Sequence, residues 1–142
     1  MIARTEWKPT PAVQSRFLGF SQSGHQILFD ASPEHTDGAS PMEAVLMGLC
    51  GCTSADIVSI MAKKRQPMTS LTVAAVAEQQ AEPPKYFNKI RLVYTIGGRV
   101  SRMAAEHALE LSKTRYCSVS AMLERAAEIS FELEFADGEP LP

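Results

Sequence analysis

"SPMEAVLMGLCGCTSADIVSIMAKK", residues 40–64, decides how the rest of the chain is read. Ser40 followed by Pro41 is a helix start: a serine side chain can accept from the free N–H groups of the first turn, and proline has no N–H to lose there. A run without proline then continues to Gln66-Pro67, where the helix is expected to end. Met42 to Ala62 is 21 residues long, mostly apolar and followed by Lys63-Lys64-Arg65, which are features of a membrane span. Glu43, Thr53, Ser54, Asp56 and Ser59 argue against lipid. A helix apolar nearly all round otherwise lies in a protein core, so the expectation is a long, buried central helix.

Strand patterns flank this helix. Upstream, "RTEW" (Arg4 to Trp7) alternates weakly and stops before "KPTP". "RFLGFSQ" and "HQILFD" flank Ser23-Gly24 and read as a hairpin, followed by a loop from Ala31 to Pro41. Downstream, a strand begins at Leu71, and "KIRLVYTI" alternates Ile90, Leu92, Tyr94 and Ile96 inward until Gly97-Gly98. "SRMAAEHALELSKTRY" has helical spacing with Ser101 as N-cap, and "CSVSAMLERAA" reads as a shorter helix with Cys117 at its N-terminal edge. "ISFELEF" closes the chain with Ile129, Phe131, Leu133 and Phe135 on one face. The order gives an α+β class with antiparallel sheets and a central helix, and residues 1–142 read as a single domain without internal repeats.

Composition narrows the function. The chain has 142 residues, 45% hydrophobic and 21% charged, enough to bury a core. A net charge of −2 argues against a nucleic-acid partner, which needs a basic patch. "MIARTEWKPTPAV" lacks an apolar run of signal-peptide length, so a cytoplasmic protein with no membrane partner is expected. Three cysteines in such a chain leave metal binding, thiol chemistry or plain burial.

On a helix, Cys50 and Cys52 point roughly 200° apart. They cannot share a metal ion, and His25, His35 and His107 are scattered, so no metal is expected. Gly48, Gly51, Cys52, Ala55, Asp56 and Ser59 form a thin small-or-polar stripe. Two readings fit it: tight helix packing with Cys52 as a small hydrophobe, or a reactive thiol in a place that something can approach. Asp56, one turn from Cys52, would need a cation if buried; Arg4, Arg16 and Arg115 are the candidates. Cys117 lies at a helix junction, where free N–H groups favour a thiolate.

The pairing of "SPMEAVLMGLCGCTSADIVSIMAKKRQ" with "ELSKTRYCSVSAMLERAAEISFELEF" resembles the OsmC/Ohr superfamily, osmotically inducible protein C and organic hydroperoxide resistance protein. With "SGHQIL" (Ser23 to Leu28), "SPME" and "YCSV", it is most similar to the YhfA-like branch. The resemblance covers essentially the whole chain.

It implies an OsmC-like fold, two chains intertwined as a homodimer around their central helices, with thiol sites at the subunit interface. It implies a helix cysteine that reduces peroxides, organic hydroperoxides above all, and a second cysteine that resolves it. By motif position these are Cys52 and Cys117, while Cys50 falls at a small-residue position and reads as packing. No cofactor is implied beyond an external dithiol reductant. Two positions depart from the peroxidase pattern: Met42 stands where a glutamate is usual, with Glu43 about 100° further round, and Ser21 to Gly24 contains no arginine. The alternative is a non-catalytic dimer that binds a small apolar or thiol-containing ligand in the same pocket.

Overall fold

The computed structural model describes residues 1–8, 10 and 14–142, so the break expected at "KPTP" lies partly outside the described residues. The chain forms two compact units, Met1–Leu46 and Met47–Pro142. In the first, β1 (Ala3–Glu6), β2 (Arg16–Ser21) and β3 (Gln26–Asp30) make an antiparallel sheet in that order. The β2–β3 hairpin turns at the expected place. There Gly24 takes φ +84°, a conformation that costs glycine little, and Ser21 N–H bonds to His25 O at 2.9 Å.

Asp30 organises the loop after β3. Its carboxylate accepts from Ser32 N–H at 2.8 Å, Ser15 Oγ at 3.1 Å and Asp37 N–H at 3.3 Å. The Ser32 N–H and hydroxyl, then Asp37 N–H and Ser15, hold its carboxyl at about 2 against the opposing effect of burial. The loop delivers the chain to Ser40, where a reciprocal cap opens the long helix α1 (Pro41–Lys63). Glu43 N–H donates to Ser40 Oγ at 3.1 Å, and Ser40 N–H donates to a Glu43 carboxylate oxygen at 2.7 Å.

The second unit holds the rest of α1 and a sheet of β4 (Met68–Gln79), β5 (Phe87–Gly98) and β6 (Glu128–Phe135), in that order. This sheet is mixed, not antiparallel as expected: β4 and β5 are antiparallel, but β5 and β6 run parallel, with Leu92 opposite Phe131 and Tyr94 opposite Leu133. The helical segment between β5 and β6 supplies the crossover that a parallel pair requires. Ile90, Leu92, Tyr94 and Ile96 are buried as their alternation predicts, whereas the apolar face of β6 is only half-buried.

That crossover differs from the sequence expectation in one place. Instead of one helix to Tyr116, α2 (Arg102–Leu111) gives way to a π-helical turn (Ser112–Tyr116), then α3 (Ser118–Leu123). Cys117 N–H bonds to Ser112 O, five residues back, at 2.9 Å and closes the wider turn. α1 is also not buried all round within the chain. Leu49, Thr53, Ile57, Ile60 and Met61 are buried, but Met47 and Val58 remain 58% and 49% exposed. By length and composition α1 could cross a membrane; here its buried residues join the core of the second unit.

Candidate thiol site

Helical geometry places Cys52 and Asp56 one turn apart on α1, and the π-helical turn brings Cys117 to them. Their sulfurs and a carboxylate oxygen all lie within 4.8 Å of one another. Cys52 and Asp56 are half-buried, and Cys117 is buried at 3% exposure. Cys50, on another face, stays out of the cluster. Its half-buried thiol lies by the Ala75 N–H of β4, and burial pushes it up from the ordinary thiol range. The thiol pair anticipated from the sequence is therefore together in space.

A chain of hydroxyls lies behind this cluster. Tyr94 OH and Thr53 Oγ1 are 2.8 Å apart, Thr53 Oγ1 and Ser112 Oγ are 3.0 Å apart, and Ser112 Oγ donates to Asp56 Oδ2 at 2.9 Å. Tyr94, Thr53 and Ser112 are almost wholly buried, so each hydroxyl needs these partners. Burial pushes the Tyr94 phenol up to about 12; it stays protonated and can donate. Sequence reading missed all three: Thr53 and Ser112 sit in helical runs where serine and threonine carry no distinctive signal, and Tyr94 reads simply as core.

Two electrostatic expectations are corrected. Within its own unit Asp56 is held by the Ser112 hydroxyl, and no ion pair among the described residues of that unit includes it. Half-burial leaves the carboxylate partly hydrated, which removes the need for a cation. Arg4 pairs with Glu6 at 3.4 Å and lies over the Phe20 ring, and Arg16 pairs with Asp37. Arg115, in the π-helical turn, is exposed.

Cys117 caps α3 as expected, with Ser120 N–H donating to its sulfur at 3.4 Å. Yet its thiol is pushed up, not down. Burial is the main cause and Cys52 adds to it, outweighing the Ser120 N–H and hydroxyl. The glycines of the stripe are also not used for close approach within the chain: nothing described lies within 4 Å of a Cβ built on Gly48 or Gly51. Next to Asp56 a cavity of about 310 Å³ opens between α1 and α2, lined by Ser59, Lys64, His107 and Tyr116 among others.

A helix thiol and a second thiol delivered by the crossover, on a fold of one long helix and two small sheets, define the class. The family of OsmC-like proteins matches residues 34–132, and the chain belongs to it. It is 41% identical over 135 residues to Protein YhfA of Escherichia coli strain K12, spanning 94% of this chain and 97% of YhfA. An OsmC-like protein from Mycoplasma pneumoniae shares the fold with a TM-score of 0.81 at 20% identity, over 94% of this chain and 95% of that one. The organic hydroperoxide resistance protein OhrB of Bacillus subtilis shares it with a TM-score of 0.68 at 13% identity, over 94% and 98%.

Proposed function

We propose that this protein is a thiol-dependent peroxide reductase for organic hydroperoxides, acting in oxidative-stress defence. The observation that carries the reading is the approach of Cys52 and Cys117 within 4.8 Å in a family that includes hydroperoxide resistance proteins. Cys52 thiolate attacks the O–O bond; with one proton taken up, an alcohol leaves and Cys52 becomes a sulfenic acid. The Cys117 thiol condenses with it, forming the disulfide and releasing water. An external dithiol then reduces the disulfide by exchange. No metal or flavin enters this cycle.

The assembly proposed is a homodimer in the cytoplasm, with the exposed side of α1 as its contact. Met47, Gly48, Gly51, Ala55 and Val58 of that side are all exposed in the single chain, and the two glycines are open to a neighbouring backbone. Light scattering on the eluting protein gives the mass, and a monomer at micromolar concentration counts against this arrangement.

A second reading, a dimer that binds a small apolar or thiol-containing ligand without turnover, draws on two observations. The acid nearest the helix start, Glu43, is engaged in the cap, and no cation pairs with Asp56 among the described residues. Stopped-flow oxidation by cumene hydroperoxide decides between them. Loss of two thiols per chain with a Cys52–Cys117 disulfide supports the reductase. Reaction no faster than an ordinary free thiol overturns it.

A further inference from the structure

We infer that the reduced site binds one thiophilic divalent cation of the Zn²⁺ type per chain, through Cys52 Sγ, Cys117 Sγ and the Asp56 carboxylate. Two sulfurs and one oxygen are a donor set that favours zinc over the hard cations, which take oxygen ligands. Zinc–sulfur bonds of about 2.3 Å in a tetrahedron put two sulfurs about 3.8 Å apart, so a separation of at most 4.8 Å needs only a small closing movement. Cys52 and Asp56 share one helix face at i and i+4, and the backbone of the π-helical turn fixes Cys117 opposite them.

Three further features fit a ligand set. Ser112 Oγ holds Asp56 through Oδ2 at 2.9 Å, the kind of outer hydrogen bond that orients a ligating carboxylate. No lysine or arginine forms an ion pair with Asp56 among the described residues, although Lys63 and Lys64 line the cavity it borders. Cys52 and Asp56 are half-buried, so two of the three donors keep access to solvent. Spacing within the helix excludes a Cys50–Cys52 site, but it cannot see a partner that arrives from the crossover. Zinc bound here withholds both thiols, so it opposes their oxidation.

The inference rests on the donor positions and not on the peroxide reading, and its test contains no peroxide. Reduced full-length protein is titrated with Zn²⁺ against a chromophoric chelator, and separately with Co²⁺ while the near-ultraviolet thiolate-to-cobalt absorption is followed. One ion per chain is expected, with that absorption present. Ser112→Ala should weaken zinc about tenfold, and Asp56→Asn, Cys52→Ser and Cys117→Ser by more than that. Cys50→Ser should leave affinity unchanged. Asp56→Asn is nearly isosteric and Cys50→Ser lies outside the cluster, so these two keep the test sharp if another variant fails to fold. Absence of the thiolate band, undiminished binding by Cys52→Ser or Asp56→Asn, or loss of binding in Cys50→Ser overturns the proposal. A chain that binds zinc in this pattern but ignores cumene hydroperoxide keeps the inference and loses the reductase reading; the converse loses only the inference.

Discussion

The Ser112 hydroxyl donates to Asp56 Oδ2 at 2.9 Å and ties the turn before Cys117 to the helix that carries Cys52. Ser112 Oγ also sits 3.0 Å from Thr53 Oγ1, which in turn meets Tyr94 OH at 2.8 Å. One side chain thus links the cysteine-bearing helix, the crossover and the central strand of the second sheet.

Ser112→Ala should therefore lower stability and slow disulfide closure together. It takes from buried Thr53 one of its two hydroxyl partners, leaving Tyr94, and frees Asp56, a loss of about 1–3 kcal/mol for the two hydrogen bonds together. Thermal unfolding followed by circular dichroism should show a midpoint lower by several degrees, and oxidation by diamide should give the Cys52–Cys117 disulfide more slowly. A variant with unchanged midpoint and unchanged closure rate would mean that the turn is positioned by its backbone bond from Cys117 N–H to Ser112 O alone.

Asp30 makes a prediction in acid. Its folded carboxyl is held at about 2 against an ordinary 3.8, chiefly by Ser32. A depressed carboxyl stabilises the fold fully above its unfolded value, and the contribution is lost as pH falls through the folded value. Asp30→Asn has no such charge, so the wild-type advantage in urea midpoint should be constant near neutrality and shrink between about pH 4 and about pH 2. An advantage that does not change with pH would assign Asp30 a purely geometric part in the loop.

Gly98 tests the exit from β5. It has φ +104°, and a Cβ there would collide with the carbonyl of Pro67 and lie 2.9 Å from Thr69 N. Its N–H donates to Asp137 Oδ2 at 2.6 Å. Both the left-handed backbone and the lack of room exclude a side chain, so Gly98→Ala should destabilise by more than about 1 kcal/mol. Equal urea midpoints for the variant and the parent would contradict this.

How much of this was legible in the sequence depends on the distance over which each feature is decided. The Ser40-Pro41 start, the turn at Gly24 and the inward set Ile90 to Ile96 are local, and local rules found them. The parallel pairing of β5 with β6 was not readable, because alternation states which face is buried and not which way a neighbour runs. The π-helical turn was hidden for a similar reason. Ser112 fits a helical pattern, and its departure is tied to Thr53 and Asp56, 59 and 56 residues away. Helical spacing put Asp56 beside Cys52 and family motifs matched Cys52 with Cys117, while the meeting of all three groups is decided only in three dimensions. The direction of the Cys117 shift was misjudged because a helix end is visible in sequence and burial is not.

That shift yields the last prediction. In a Cys50→Ser/Cys52→Ser variant, Cys117 is the one thiol left, and the upward push from Cys52 is gone. Burial, the larger cause, stays. Alkylation by iodoacetamide reports the thiolate, so its rate plotted against pH should have a midpoint above the ordinary 9.0, and reaction near neutrality should be slower than that of an exposed cysteine. A midpoint below the ordinary value would show that the Ser120 N–H and hydroxyl outweigh burial. The expected result also bears on the order of attack in the proposed peroxide cycle. A thiol held protonated is a poor first nucleophile toward peroxide, yet it can condense with a sulfenic acid brought within reach. Cys52 attacks and Cys117 resolves in that case, and the reverse order would require Cys117 to titrate low.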